Sequence, residues 1–371
     1  MSVVVIPDSF KGSMTSHEVT EIISTELKQY TKEKIIELPI ADGGEGSTDC
    51  ILEIKKGRKK IVQVHSPDQR IIDASYGIID DFTAVIEIAE SSGLTKQNGL
   101  HPLTSNTYGF GELILDALNE GCRNFYLCLG GSATTDCGIG MASALGVKFY
   151  DENHESFIPT GKSLCNVSKI DKSTIDQRVL YSTFTILTDV TNPLYGKEGA
   201  AYIYGPQKGA SSSDILLLDS GLEHIAKVMQ RDCYCCTKIK GAGAAGGAGL
   251  GCVAFLNGHI TSGIEGFLEL VHFDDYMRDC HLIITGEGCL DEQSLMGKVF
   301  SGIKAHSHNN KIIVFCGICK LSKETLEDNQ IEAIEISKGI DKQESIQNGK
   351  YYLQKAVQEY IKSNHSRLLS E

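Results

Sequence analysis

A two-domain α/β fold is what this chain predicts, and three observations carry the expectation. Strand-length apolar runs near both ends alternate with amphipathic helical segments, the rhythm of a parallel sheet. Between them, residues 60–89 form short strand-like runs broken by turn residues, the texture of an antiparallel sheet. The length, 371 residues, exceeds the roughly 150 that one domain usually organises.

Val3–Ile6 reads as a buried strand. Thr15 and Glu18 form a capping box for a helix whose Val19, Ile22, Ile23 and Leu27 share one face, and Ile35–Ile40 reads as the next strand. The loop Pro7–Ser13 then falls at a strand's carboxyl end, where parallel sheets bind ligands. Lys60–His65, Ile71–Ile79 and Ala84–Ala89 are the short strands, and the basic run Lys55–Lys60 before them is a solvated turn. A helix over Tyr108–Asn119 stops at Gly121 and feeds the strand Phe125–Leu129, with a further helix over Gly138–Leu145. Residues 147–270 mix strands at Val147–Tyr150, Phe184–Asp189 and Ala200–Ile203 with a helix from Asp214 to Met229 and the tract Gly241–Gly251. Clean alternation returns with strands Leu282–Thr285, Lys311–Cys316 and Ile331–Ile336 and helices Ser294–His306 and Gln343–Lys362. A discontinuous Rossmann-like parallel domain is therefore expected over 1–58, 101–146 and 274–371. An inserted mixed α/β domain with antiparallel strands is expected over 59–100 and 147–273.

The charge balance, 48 acidic against 35 basic residues, argues against a phosphate-tracking nucleic-acid surface. No apolar run approaches the ~18 residues of a membrane span. Thirteen cysteines without an N-terminal apolar leader read as reduced thiols of a cytoplasmic enzyme. The cluster Cys233, Cys235 and Cys236 lacks a second pair at zinc spacing.

Known nucleotide motifs are absent. The lone G-K-S, Gly161-Lys162-Ser163, has Ser156 where a Walker A loop needs glycine, and no H-R-D occurs. Gly241–Gly246 matches G-x-G-x-x-G, but the preceding Cys236–Lys240 holds a single aliphatic residue and is no buried strand, so a dinucleotide fold is not supported. What remains is a set of glycine, hydroxyl and carboxylate loops fed by apolar strands. Gly130, Gly131, Ser132, Ala133 and Thr134 can present N–H and O–H donors to a phosphate, with Asp136 as metal ligand or helix cap. Ala41–Ser47 carries Asp42 and Glu45; Thr285–Asp291 carries Glu287 and Asp291; each puts two carboxylates among glycines. Such pairs need Mg²⁺, a lysine or a raised pKa, and Lys11 and Lys298 are the candidate cations. Asp189 stands at an apolar strand's end before the Asn192-Pro193 turn, as general base, metal ligand or turn cap.

In this order, Pro7–Ser13, Ala41–Gly46, Gly130–Gly138, Asp189–Leu194, Tyr204–Gly209, Gly241–Gly247 and Thr285–Lys298 resemble the glycerate kinase family of the bacterial type, over about residues 1–320. Thr135, Cys137 and Cys289 depart from its usual pattern. The resemblance implies ATP-dependent phosphorylation of D-glycerate, with Mg²⁺, on the 2-hydroxyl in preference to the 3-hydroxyl. It implies phosphate contacts from Gly130–Thr134 and from Gly243, Gly246 and Gly247, and a base at Asp189 or Asp291, the other binding metal. Ser9, Lys11, Asp42, Glu45 and Glu287 would hold substrate, with Lys298 on the transferred phosphate. A monomer or homodimer with small-molecule partners is expected. Another small hydroxy acid as acceptor, or an anion-sensing protein without turnover, stays open.

Overall fold

The computed structural model describes residues 2–40, 43–44, 46–295, 299–307 and 310–364. Its strands run, in chain order, β1 (Ser2–Val5), β2 (Lys34–Glu37), β3 (Arg58–His65), β4 (Ile71–Ile79), β5 (Thr83–Glu87), β6 (Asn124–Cys128) and β7 (Lys148–Tyr150). They continue as β8 (Ser156–Phe157), β9 (Lys169–Asp171), β10 (Thr183–Leu187), β11 (His259–Thr261), β12 (Cys280–Leu290), β13 (Lys311–Cys319) and β14 (Ile331–Glu335). Two compact units result, Met1–Ala41 with Phe267–Glu371, and Asp42–Gly266.

The first unit is a parallel sheet in the order β14-β13-β12-β1-β2. β1 is an interior strand, paired on both sides and wholly buried, which is why its sequence is so strongly apolar. The helix Ser16–Lys28 opens on the expected capping box: the Thr15 N–H donates to Glu18 Oε2 at 2.9 Å and the Glu18 N–H to Thr15 Oγ1 at 3.2 Å. Its Val19, Ile23 and Leu27 pack with Leu353 and Val357 of the terminal helix Gly349–Ser363. Each such side chain contributes about 1.5–3 kcal/mol on burial. The chain leaves β1 for β2 on one side and returns to β12 on the other. The carboxyl ends of β1 and β12 therefore flank a switch point, where open α/β sheets bind ligands.

The second unit holds a six-stranded sheet, β11-β10-β6-β5-β4-β3, and a small three-stranded one, β8-β7-β9. β3, β4 and β5 are antiparallel; β5, β6, β10 and β11 are parallel. Phe125 and Phe184 stack across β6 and β10 with centroids 4.7 Å apart. Glu87, Cys128 and Leu187 are in register, so three parallel strands end level.

The α/β class and the mixed antiparallel region match the sequence expectation. Several details differ. Segments 42–58 and 101–146, expected with the terminal domain, sit in the second unit, because β6 hydrogen-bonds between β5 and β10. Ala200–Tyr204 is helical rather than extended, and the terminal helix is broken at Asn348 into Lys342–Gln347 and Gly349–Ser363. Ala84–Ala89 divides into strand and the helix Ile88–Ser92. Among the described residues no helix is long and apolar enough to cross a membrane, and no disulfide is formed.

Thr15→Ala removes one half of the capping box and is expected to lower stability in urea by about 1 kcal/mol. Thr15→Ser should restore most of it, and an unchanged midpoint in the alanine variant would deny the cap its role.

Candidate functional site

In the first unit the exits of β1 and β12 lie side by side. The Thr285 hydroxyl donates to the Ile6 carbonyl at 2.7 Å and the Asp8 N–H to the Gly286 carbonyl at 2.8 Å. A Cβ on Gly288 would lie 3.7 Å from the Lys11 backbone nitrogen. Ser9 and Lys11 are thereby brought against the loop bearing Glu287 and Asp291. Ser9 is half-buried, its N–H donating to Asp8 Oδ1 at 2.6 Å, and Lys11 is exposed. Glu287 Oε2 accepts from the fully buried Ser294 hydroxyl at 2.9 Å. Asp291 is half-buried: Oδ1 accepts from the Gln293 N–H at 3.0 Å and Oδ2 from the Cys289 thiol at 3.7 Å. Lys320 Nζ stands 3.9 Å from the same Oδ2. Lys320 and Ser294 were not singled out from sequence, although Ser294 lies within the Thr285–Lys298 motif. Lys298 lies outside the described residues, as do Asp42 and Glu45.

In the second unit the loops follow the level ends of β5, β6 and β10. The Gly130 N–H donates to the Gly43 carbonyl at 3.3 Å, and a Cβ on Gly130 would meet Gly44 Cα at 2.8 Å. Gly243 donates to the Asn192 carbonyl at 3.0 Å, and Cys137 to the Gly246 carbonyl at 3.1 Å. A Cβ on Gly246, at φ +66°, would lie 2.0 Å from the Thr134 carbonyl oxygen, so only glycine fits. The loops at Gly43–Gly44, Gly130–Asp136, Asp189–Leu194 and Gly241–Gly247 therefore form one packed cluster. Asp189 is exposed, and its Oδ1 accepts from the Gly263 N–H at 3.0 Å.

Within Gly130–Thr134 the structure separates two roles. Gly131 is exposed, whereas Ser132, Ala133 and Thr134 are buried. The Ala133 N–H is taken by the Ser92 carbonyl at 2.8 Å, and the Gly131 carbonyl accepts from Leu94 at 3.2 Å. The loop is pinned from behind and presents Gly131 outward. Asp136 is completely buried; Oδ2 accepts from the Thr107 N–H and hydroxyl at 2.8 Å each and from the Gly140 N–H at 3.1 Å, and Oδ1 from the Gly138 N–H at 3.3 Å. Burial pushes its pKa up while those donors pull it down. That geometry makes Asp136 a cap on two helix entries, the second of the two roles the sequence offered for it. Among the described residues no three His, Cys, Asp or Glu side chains cluster as a metal site.

Two charged residues of this cluster escaped the sequence. Glu87 is 5% exposed and accepts from the Gly46 N–H at 3.0 Å and the Thr48 N–H at 2.7 Å, capping the helix Ser47–Lys55. Burial pushes its pKa up against those bonds. Lys208, buried in the Tyr204–Gly209 motif, donates to the Ser132 hydroxyl and the Thr134 carbonyl. The motif itself was the only available signal for it.

Comparison with known proteins places the chain in a family. The profile described as Glycerate kinase family matches residues 3–364. The Glycerate 2-kinase of Escherichia coli is 39% identical over 85% of this chain and 85% of its own. The Glycerate kinase of Halalkalibacterium halodurans is 38% identical over 90% of this chain and 89% of its own. A crystal structure from Salmonella typhimurium LT2, provisionally assigned as glycerate kinase 2, superposes with a TM-score of 0.85 at 31% identity over all of both chains.

Asp136→Asn is expected to destabilise the protein by about 2 kcal/mol, since buried donors lose their charged acceptor. The magnesium concentration for half-maximal activity should stay unchanged. A shifted magnesium dependence with an unaltered melt would return Asp136 to the metal.

Proposed function

The chain belongs to the glycerate kinase family, and on that footing we propose how its residues carry the reaction. It is an ATP-dependent kinase acting on glycerate. Phosphoryl transfer passes through a loose transition state, so positioning and charge neutralisation dominate. Gly131, the exposed residue of the Gly130–Thr134 loop against which Gly246 packs, seats the phosphates of ATP; the Gly130, Ala133 and Gly243 N–H groups are spent on backbone carbonyls, so these residues, with Gly247, shape the seat rather than donate to it. The observation that carries this reading is the level ending of β5, β6 and β10, which brings Gly130 and Asp189 to the same carboxyl end of the sheet.

Asp189 takes the proton from the attacking glycerate hydroxyl, and Asp291 is the alternative base. Both carboxylates suit magnesium, which needs only one or two from the protein and completes its shell with phosphate and water. Bound there, it would neutralise phosphate charge. Ser9, Lys11 and Glu287 hold glycerate with Asp42 and Glu45, Lys11 facing its carboxylate, and Lys298 steadies the transferred phosphate. Phosphorylation at the 2-hydroxyl is favoured by the naming of the Escherichia coli relative. Function as a cytoplasmic monomer or homodimer belongs to the same proposal.

Asp189→Asn is the test of the base. The amide keeps an oxygen for the Gly263 N–H, so the fold survives, while turnover should fall ~10²-fold or more. Wild-type turnover in that variant would remove Asp189 from the role.

A further inference from the structure

Lys208 is 2% exposed, the one lysine so deeply buried among the described residues. Its Nζ donates to the Ser132 hydroxyl at 3.1 Å and to the Thr134 carbonyl at 2.6 Å. Both partners are neutral. Asp136, the other charged side chain acting on it, does so through space, because Thr107, Gly138 and Gly140 hold the Asp136 oxygens. Burying an ammonium without a direct counter-charge is costly, and burial draws the Lys208 pKa down to about 8. An uncharged donor would serve two neutral acceptors more cheaply. A lysine beneath this loop is explained if a negative ligand meets its field from above.

We propose that Lys208 is the positioning residue of the Gly130–Thr135 loop, holding it from beneath and supplying the positive field that draws nucleotide phosphate to Gly131. It acts through Ser132 and Thr134 and does not take part in bond making. The inference rests on the reading that this loop seats the phosphates.

Two coupled readouts test it. In the wild-type protein the ¹³Cε resonance of Lys208 is titrated with and without ADP. Bound phosphate must raise the midpoint by about one pH unit or more, as an opposite charge nearby does. By linkage a one-unit rise means that the charged form binds ADP about tenfold tighter than the neutral form. Calorimetry on Lys208→Met and Lys208→Gln should accordingly give ADP binding at least about tenfold weaker, with the KM for glycerate unchanged. A purely structural lysine would lower the melting temperature of these variants and leave both readouts alone. An unmoved Lys208 midpoint, or ADP binding by Lys208→Gln within twofold of wild type, overturns the proposal. Should neither variant fold, the wild-type titration decides alone. Gly131→Val, strained at φ +75°, separates the underlying reading. If it binds ADP normally, the loop is not the phosphate seat. If it loses ADP while Lys208→Gln keeps it, only the role of Lys208 fails.

Discussion

No side chain fits where the loops of the second unit meet. Gly246 lies over the Thr134 carbonyl at a separation that would put a Cβ 2.0 Å from oxygen, and Gly130 presses on Gly44. This backbone-on-backbone packing fixes the loops at the level ends of β5, β6 and β10. It also decides which groups face outward. Gly131 and Asp189 reach the loop surface, while Ser132, Thr134 and Asp136 are turned into the protein.

The buried charges follow from that packing. Tight loops leave backbone N–H groups at helix entries without helical partners, and each needs an acceptor. Asp136 serves the entries at Thr107 and Gly138–Gly140, and Glu87 serves Gly46 and Thr48. Both buried acids thus serve as scaffolding. The carboxylates proposed for chemistry stay accessible, Asp189 exposed in one unit and Asp291 half-buried in the other. In the first unit the same division holds on a smaller scale, since Ser294 fixes Glu287 and Lys320 balances Asp291.

Much of this was legible beforehand. Uniform apolar runs announced β1, β6 and β12, Thr15 and Glu18 announced a helix start, and the ordered glycine motifs announced the family. What escaped has physical reasons. Five apolar residues at Ala200–Tyr204 are too few to separate helix from strand by period. The pairing of β6 between β5 and β10 is a tertiary choice that alternation of elements does not encode, so 101–146 went to the wrong unit. Glu87 and Lys208 act on residues some forty and seventy-five positions away in the chain. The sequence left Asp136 as metal ligand or helix cap, because the Thr107 donors that mark it as a cap come from a distant helix entry.

The central claim, that the clustered loops of the second unit seat the phosphates of ATP, is tested most directly by hydrogen exchange of the intact protein with and without ADP and magnesium. The account predicts slowed exchange over 130–135, 189–194 and 241–247 on binding. Bound nucleotide that leaves all three segments unchanged and protects other parts of the chain would contradict it.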